Sequence, residues 1–166
     1  MNRIDQLMAE FEREATTTRR FLERLTDDKL AWRPHAKSFT AGGLASHMTD
    51  LLQFVELISG TDEMDFDPAT YKPYQATSVA DLLKTFDENV ATGKQALAGV
   101  SDERLAGPWK LKIMGRLFFE KPRADVLRDF ALSHQIHHRG QLSVYLRLLD
   151  IPVPSAYGPT ADENIM

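Results

Sequence analysis

The run Ser133-His134-Gln135-Ile136-His137-His138-Arg139-Gly140-Gln141-Leu142 sets two imidazoles, His134 and His138, four residues apart. In an α-helix that spacing stacks them on one face, about one turn apart. Counted at about 100° per residue from His134, Leu127, Phe130, Ala131, Tyr145, Leu148 and Leu149 all fall within roughly 60° of it. His138 falls near roughly +40°, inside the same apolar stripe, and His137 near roughly −60°, at its edge. A second segment repeats the pattern, with His47 centred among Leu44, Leu51, Phe54 and Ile58. Imidazoles on stripes that face a shared core need partners for their ring nitrogens. One metal ion satisfies three rings at once, and three protein ligands leave positions open for water or substrate, the pattern of a catalytic site. The competing reading bonds each ring to a neighbouring Ser, Thr or carbonyl and makes it purely structural. His35, beside Pro34, reads as an exposed loop residue, and His137 as a rim residue.

Other residues could assist. Gln141 lies near roughly −20° on the same helical count and could line the cavity or bond a group at the metal. Asp50, about one turn beyond His47, could orient an imidazole as a carboxylate partner. Each also has a plain reading, Gln141 as a polar seam residue and Asp50 as a solvated or capping one. Trp32 and Tyr157 could wall the pocket, although large aromatics usually belong to core. Lys110, Lys112, Arg116, Lys121 and Arg123 form a basic run with Glu120 as the one acid among them. Such a run could attract an anionic cosubstrate, or be no more than a solvated face. The chain has no cysteine, so disulfides, thiolate ligands and a protein thiol nucleophile are excluded.

Four long helical patterns must position these groups. They run from about Ile4 to Leu25, Thr40 to Ser59, Val79 to Val100 and Pro122 to Leu149. Apolar residues recur in each at three- and four-residue spacing. Thr40 or Ser38 can start the second and Gly60 stop it; Ser78 with Asp81 resembles a capping box for the third. Pro34 interrupts the first linker. Thr61–Ala76 reads as an irregular connection. Trp109–Phe119 alternates on either side of Met114-Gly115, which reads as a small hairpin between helices 3 and 4. The tail, Ile151–Met166, reads as irregular. Helices of about 22 residues, roughly 33 Å long, can pack side by side, so the expected class is all-α, a four-helix bundle. The length of 166 residues suits one domain over 1–166.

Four pieces resemble the DinB-like, or DinB/YfiT, superfamily of metal-dependent enzymes. They are Trp32-Arg33-Pro34 followed by Ser38; Gly43-Leu44-Ala45-Ser46-His47-Met48; His134 to His138 continuing into Arg139-Gly140-Gln141-Leu142; and Pro154-Ser155-Ala156-Tyr157-Gly158-Pro159. They cover nearly the whole chain in the family's order. The family is unrelated to the DNA polymerase that has shared its name. The resemblance implies an up-up-down-down bundle, a divalent metal on His47, His134 and His138, and a homodimer. Relatives include S-transferases and isomerases that use bacillithiol, mycothiol or glutathione, and others known only as damage- or stress-inducible. The additional His137 departs from the pattern and competes with His138 as ligand, though the angular count favours His138.

The chemistry expected of such a site is delivery of a thiolate, from a small-molecule thiol, to an electrophilic substrate. The alternatives are a metal-dependent hydrolase, a metal- or ligand-binding stress protein without turnover, and a helical interaction module with structural histidines. Imidazole ligands suit zinc, nickel, iron or manganese alike. The net charge of −4 and the lack of a broad basic patch argue against a nucleic-acid partner. No run approaches the ~20 apolar residues of a membrane span, and the charged N-terminus is no signal peptide, so a cytoplasmic location is expected.

Overall fold

The computed structural model describes residues 2–164; Met1 lies outside the described residues, as do Ile165 and Met166 of the expected irregular tail. Helix α1 spans Arg3–Leu22, capped by the Asn2 side chain, which accepts from the Asp5 amide at 2.9 Å. Its triplet of threonines is accommodated locally. The Thr16 and Thr17 hydroxyls donate to the carbonyls of Glu12 and Arg13, and Thr18 is buried.

The second helical pattern is divided into α2, Ala41–Asp50, and α3, Gln53–Gly60. At the break, the Leu52 and Val55 amides donate to carbonyls three residues back, Thr49 and Leu52. The buried Thr49 hydroxyl donates to the Ala45 carbonyl, a back-bond of the kind that bends helices. Thr40 caps α2 by accepting from the Gly43 amide at 2.9 Å. Gly42 lets the start of α2 approach the first linker closely: a Cβ there would stand 3.0 Å from both the Leu30 carbonyl oxygen and Cβ.

The fold is mostly helical but not all-α. Strand β1, Glu63–Phe66, pairs in parallel with β2, Pro108–Ile113, and β2 pairs antiparallel with β3, Arg116–Pro122. The expected hairpin is therefore the larger part of a three-stranded sheet. Met114 and Gly115 form its turn with φ of 50° and 76°, the left-handed pair that matches strand twist. Strand β1 is too short and too acidic to read as a strand by itself; it adds to the open edge of β2. Helix α4 spans Val79–Ala98 and starts at Ser78, as expected, and a short α5 covers Asp102–Ala106.

The last helical run has three parts: α6, Arg123–Leu127; a π-helical turn, Arg128–Ser133; and α7, His134–Leu148. Helix α1 packs on α4 and α7, α2 on the same two helices, and α3 on α4 and α6. Leu7, Phe11, Leu44, Met48, Val55, Phe86, Leu97, Leu142 and Leu146 belong to the core between them. Leu148, expected on the buried stripe, is 57% exposed, whereas Leu146 in the same last turn is fully buried, so the core side of that turn faces away from Leu148.

Arg123, directly after β3, ties together α5, the end of α3 and the link that follows it. Its guanidinium is 2% exposed and donates to the carbonyls of Ile58 and Thr61, to the Arg104 carbonyl at 3.2 Å and to Asp62 at 2.8 Å. Replacing it by methionine leaves several buried acceptors without donors. Arg123→Met is expected to lower stability by about 2–4 kcal/mol, read from the midpoint of chemical denaturation.

Candidate metal centre

Thr40 and the linker before it fix where α2 begins, and His47 lies two turns in, on the face that meets α7. His134 opens α7 directly after the π-helical turn, and His138 follows one turn later. The three rings converge. Each offers a nitrogen, and these ligand atoms all lie within 4.8 Å of one another. Ring centroids are 5.2 Å apart for His47 and His134, 4.8 Å for His47 and His138, and 4.7 Å for His134 and His138. His138 is buried, His47 and His134 are half-buried, and His137 is exposed.

Burial sets the charge of the cluster. Desolvation pushes the His134 imidazole from 6.5 down to about 4, with His138, His47 and His137 adding to the effect. Desolvation likewise lowers His47 and His138. All three rings are therefore neutral at pH 7, the form that ligates a metal. Three neutral nitrogen donors facing one another, reachable from solvent past half-buried rings, suit a divalent ion with positions left open. The described part of the cluster makes few other demands on these nitrogens. Its imidazole hydrogen bonds are one from His138 to Gln141 and one that His137 accepts from the same side chain.

Gln141 has a definite part. Its Oε1 lies 2.7 Å from His138 Nδ1, so Nδ1 must carry the proton and Nε2 is left as the ligand atom. Its Nε2 lies 3.1 Å from His137 Nε2, to which it donates. Gln141 thus touches an imidazole rather than the cavity itself, and His137 stands behind His138 rather than in its place.

Asp50 does not orient an imidazole. It is buried, but its carboxylate accepts from the Tyr71 hydroxyl and, at 3.2 Å, from the Gln53 amide. Its negative charge still acts on His47, partly opposing the desolvation. Tyr157 is engaged away from the three histidines, on Glu14 and Arg139. Its hydroxyl lies 2.6 Å from Glu14 and from Arg139, and the Arg139 guanidinium sits over its ring. Trp32 packs edge-on against Tyr145 at 5.5 Å, and the Tyr145 hydroxyl donates to the Phe39 carbonyl. The aromatic that does lie on the cluster is Phe39, stacked on His47 at 5.9 Å and 56% exposed. It sits in a loop, where helical periodicity carries no signal.

The basic run is mostly paired within the fold. Lys112 reaches Glu63 at 2.7 Å, Lys121 reaches Asp129 at 2.9 Å, Lys110 lies 3.8 Å from Glu120, and Arg123 is buried on Asp62. These pairs leave little free charge to attract an anion. Among the described residues no helix is long and apolar enough to cross a membrane.

Helical packing around a three-histidine cluster, with a small sheet at one side, defines a class of protein. The chain belongs to the DinB family, whose model matches residues 1–164. It is 29% identical over 161 residues to the uncharacterized protein YrdA of Bacillus subtilis, covering 96% of this chain and 91% of that one. It is 26% identical over 152 residues to the uncharacterized protein YjoA of the same organism. The fold is similar to the crystal structure of YjoA, a DinB-like protein, with a TM-score of 0.72 over 97% of this chain and 99% of that one. A DinB-like protein of Bacillus cereus is similar at a TM-score of 0.69 and 24% identity, over 87% of this chain and 91% of that one.

Two outcomes follow from this geometry. Gln141→Leu removes the acceptor that fixes the His138 tautomer and is expected to weaken metal affinity about 10- to 100-fold, measured by competition with a chromophoric chelator. Gln141→Glu, which keeps an acceptor, should recover most of it. In the metal-free protein, a folded pKa of about 4 against 6.5 means that folding favours neutral His134. That contribution is complete above pH 6.5 and is lost as pH falls towards 4. Urea midpoints of the metal-free protein should drop across that window, and less steeply in His134→Gln.

Proposed function

We propose that this protein is a divalent-metal-dependent enzyme that joins a small-molecule thiol to an electrophilic carbon, with its ion on His47, His134 and His138. The observation that carries the reading is the meeting of three neutral imidazoles, their ligand atoms within 4.8 Å. Family membership supports it. When bound, such an ion supplies Lewis acidity that lowers the pKa of a thiol reaching its open position. The remaining work belongs to the chain. Gln141 holds the proton on His138 Nδ1 and turns the other nitrogen inward. Phe39 covers one face of His47 and limits water on that side. In the transfer a sulfur–carbon bond forms, the bond to the leaving group breaks and that group departs with its electron pair, while the thiol proton passes to solvent. The absence of cysteine means that the sulfur comes with the cosubstrate.

The finer assignments accompany this reading. The helical runs α1, α2–α3, α4 and α6–α7 are taken as the four rods of an up-up-down-down bundle, supported by their mutual packing. The protein is read as a cytoplasmic homodimer with a role in stress or detoxification, in keeping with its family resemblance. Its ion is zinc, nickel, iron or manganese, among which three imidazoles do not choose.

The test has two stages. Elemental analysis of purified protein should find close to one divalent ion per chain, and His47→Ala and His134→Ala should each lose it. Full metal content in both variants would remove the proposed site. Assays of metal-loaded protein with low-molecular-weight thiols and electrophiles should then show thiol consumption that stops on chelation. Hydrolysis of an ester or amide without thiol would instead assign a hydrolase. A loaded protein inert to every substrate would favour a binding protein without turnover.

A further inference from the structure

A groove of about 540 Å³ lies outside the histidine cluster, with Asp50, Phe54, Glu56, Leu57, Met64 and Tyr71 in its walls. It runs from the end of α2 along the outer face of α3 and is closed on the other side by β1 and the segment after it. Its volume falls in the range that takes small organic molecules.

The charges that face this groove are of one sign. Asp50 and Glu56 line it, and no lining residue is Lys, Arg or His. Asp50 is 5% exposed and makes no ion pair with any described residue; two neutral groups, the Tyr71 hydroxyl and the Gln53 amide, donate to it. With no cation among its partners, this buried carboxylate is left to pair with an incoming one. Burial, with Asp50 adding to it, raises the Tyr71 hydroxyl above its usual pKa, so it remains a donor. Tyr71 and half-buried Phe54 bring aromatic rings to the same space, and the Tyr71 ring is itself braced by Phe66 at 5.2 Å. Carboxylates beside aromatic faces and aliphatic side chains recognise organic cations through charge, cation–π attraction and apolar contact together. A hard inorganic cation would want six or more oxygen ligands, more than this part-apolar lining presents.

We propose that this groove binds a small organic cation with an apolar body, its charged nitrogen set towards Asp50 and Glu56 and its body against Leu57 and Met64. The site does not rest on metal binding, since no histidine lines it. It nevertheless begins near the cluster: Asp50 follows His47 by three residues in α2, a rise of about 4.5 Å.

The probe is benzyltrimethylammonium, whose nitrogen has no lone pair and so does not imitate binding by ligating a metal. Titration of the purified protein, followed by amide NMR, should saturate with shifts centred on Gln53, Leu57 and Met64. Benzyl alcohol and phenylacetate should not saturate over the same range. Glu56→Lys changes an exposed residue and puts a cation into the wall; it should weaken binding by about tenfold or more, or 1.4 kcal/mol. Asp50→Asn should do the same while leaving dispersed spectra. If that variant unfolds, Glu56→Lys decides. Equal binding of benzyl alcohol, unchanged affinity in Glu56→Lys, shifts elsewhere on the molecule, or no saturation would each overturn the proposal. Metal content, measured on the same samples, tests the enzyme reading separately.

Discussion

The candidate site depends on how α7 is turned about its own axis. A helix advances about 100° per residue, so a slip of one position would carry His134 and His138 off the face that meets His47. Two polar anchors prevent it, one reaching α2 and the other α1. Buried Gln135 donates to the Met48 carbonyl of α2 at 2.5 Å. Buried Arg139 donates to the Glu14 carboxylate at 2.8 Å and to Thr18 of α1 at 3.1 Å, and the tail adds Tyr157 to the same carboxylate. Apolar packing alone tolerates some rotation, whereas a buried guanidinium does not tolerate the loss of its carboxylate.

The anchors also explain which motif residues do chemistry and which do not. In His138-Arg139-Gly140-Gln141, His138 faces the cluster, Arg139 locks the helix to α1, and Gln141 governs the proton on His138. Neighbouring polar residues thus divide site and scaffold between them at single-residue resolution. The desolvation that keeps the rings neutral comes from the same close packing of α2 on α7.

Much of this was legible in the sequence where periodicity operates. The four helical runs, the Ser78 start of α4, the turn at Met114-Gly115 and the inward direction of His47, His134 and His138 all follow from spacing and turn chemistry. The losses have physical reasons. Strand β1 carries four residues and exists by pairing with β2, a long-range partner that no local pattern encodes. The break after Asp50 falls within an unbroken apolar pattern. Phe39 reaches His47 from a loop, and the partners that take up Asp50 and Tyr157 lie 21 and 143 residues away in the chain. The basic run was visible, but three of the acids that pair it, Glu63, Asp129 and Asp62, stand outside it.

The π-helical turn at Arg128–Ser133 sits between two clamps, Arg123 upstream and Arg139 downstream. A π turn holds one more residue than the α turn it replaces. The upstream clamp is tuned to α5 and the end of α3, the downstream clamp to α1, and the surplus residue lets both phases coexist on one rod. The turn therefore works as a vernier between scaffold and site. A shift in the segments that hold the upstream end can be absorbed in this one stretch, without moving the imidazoles downstream.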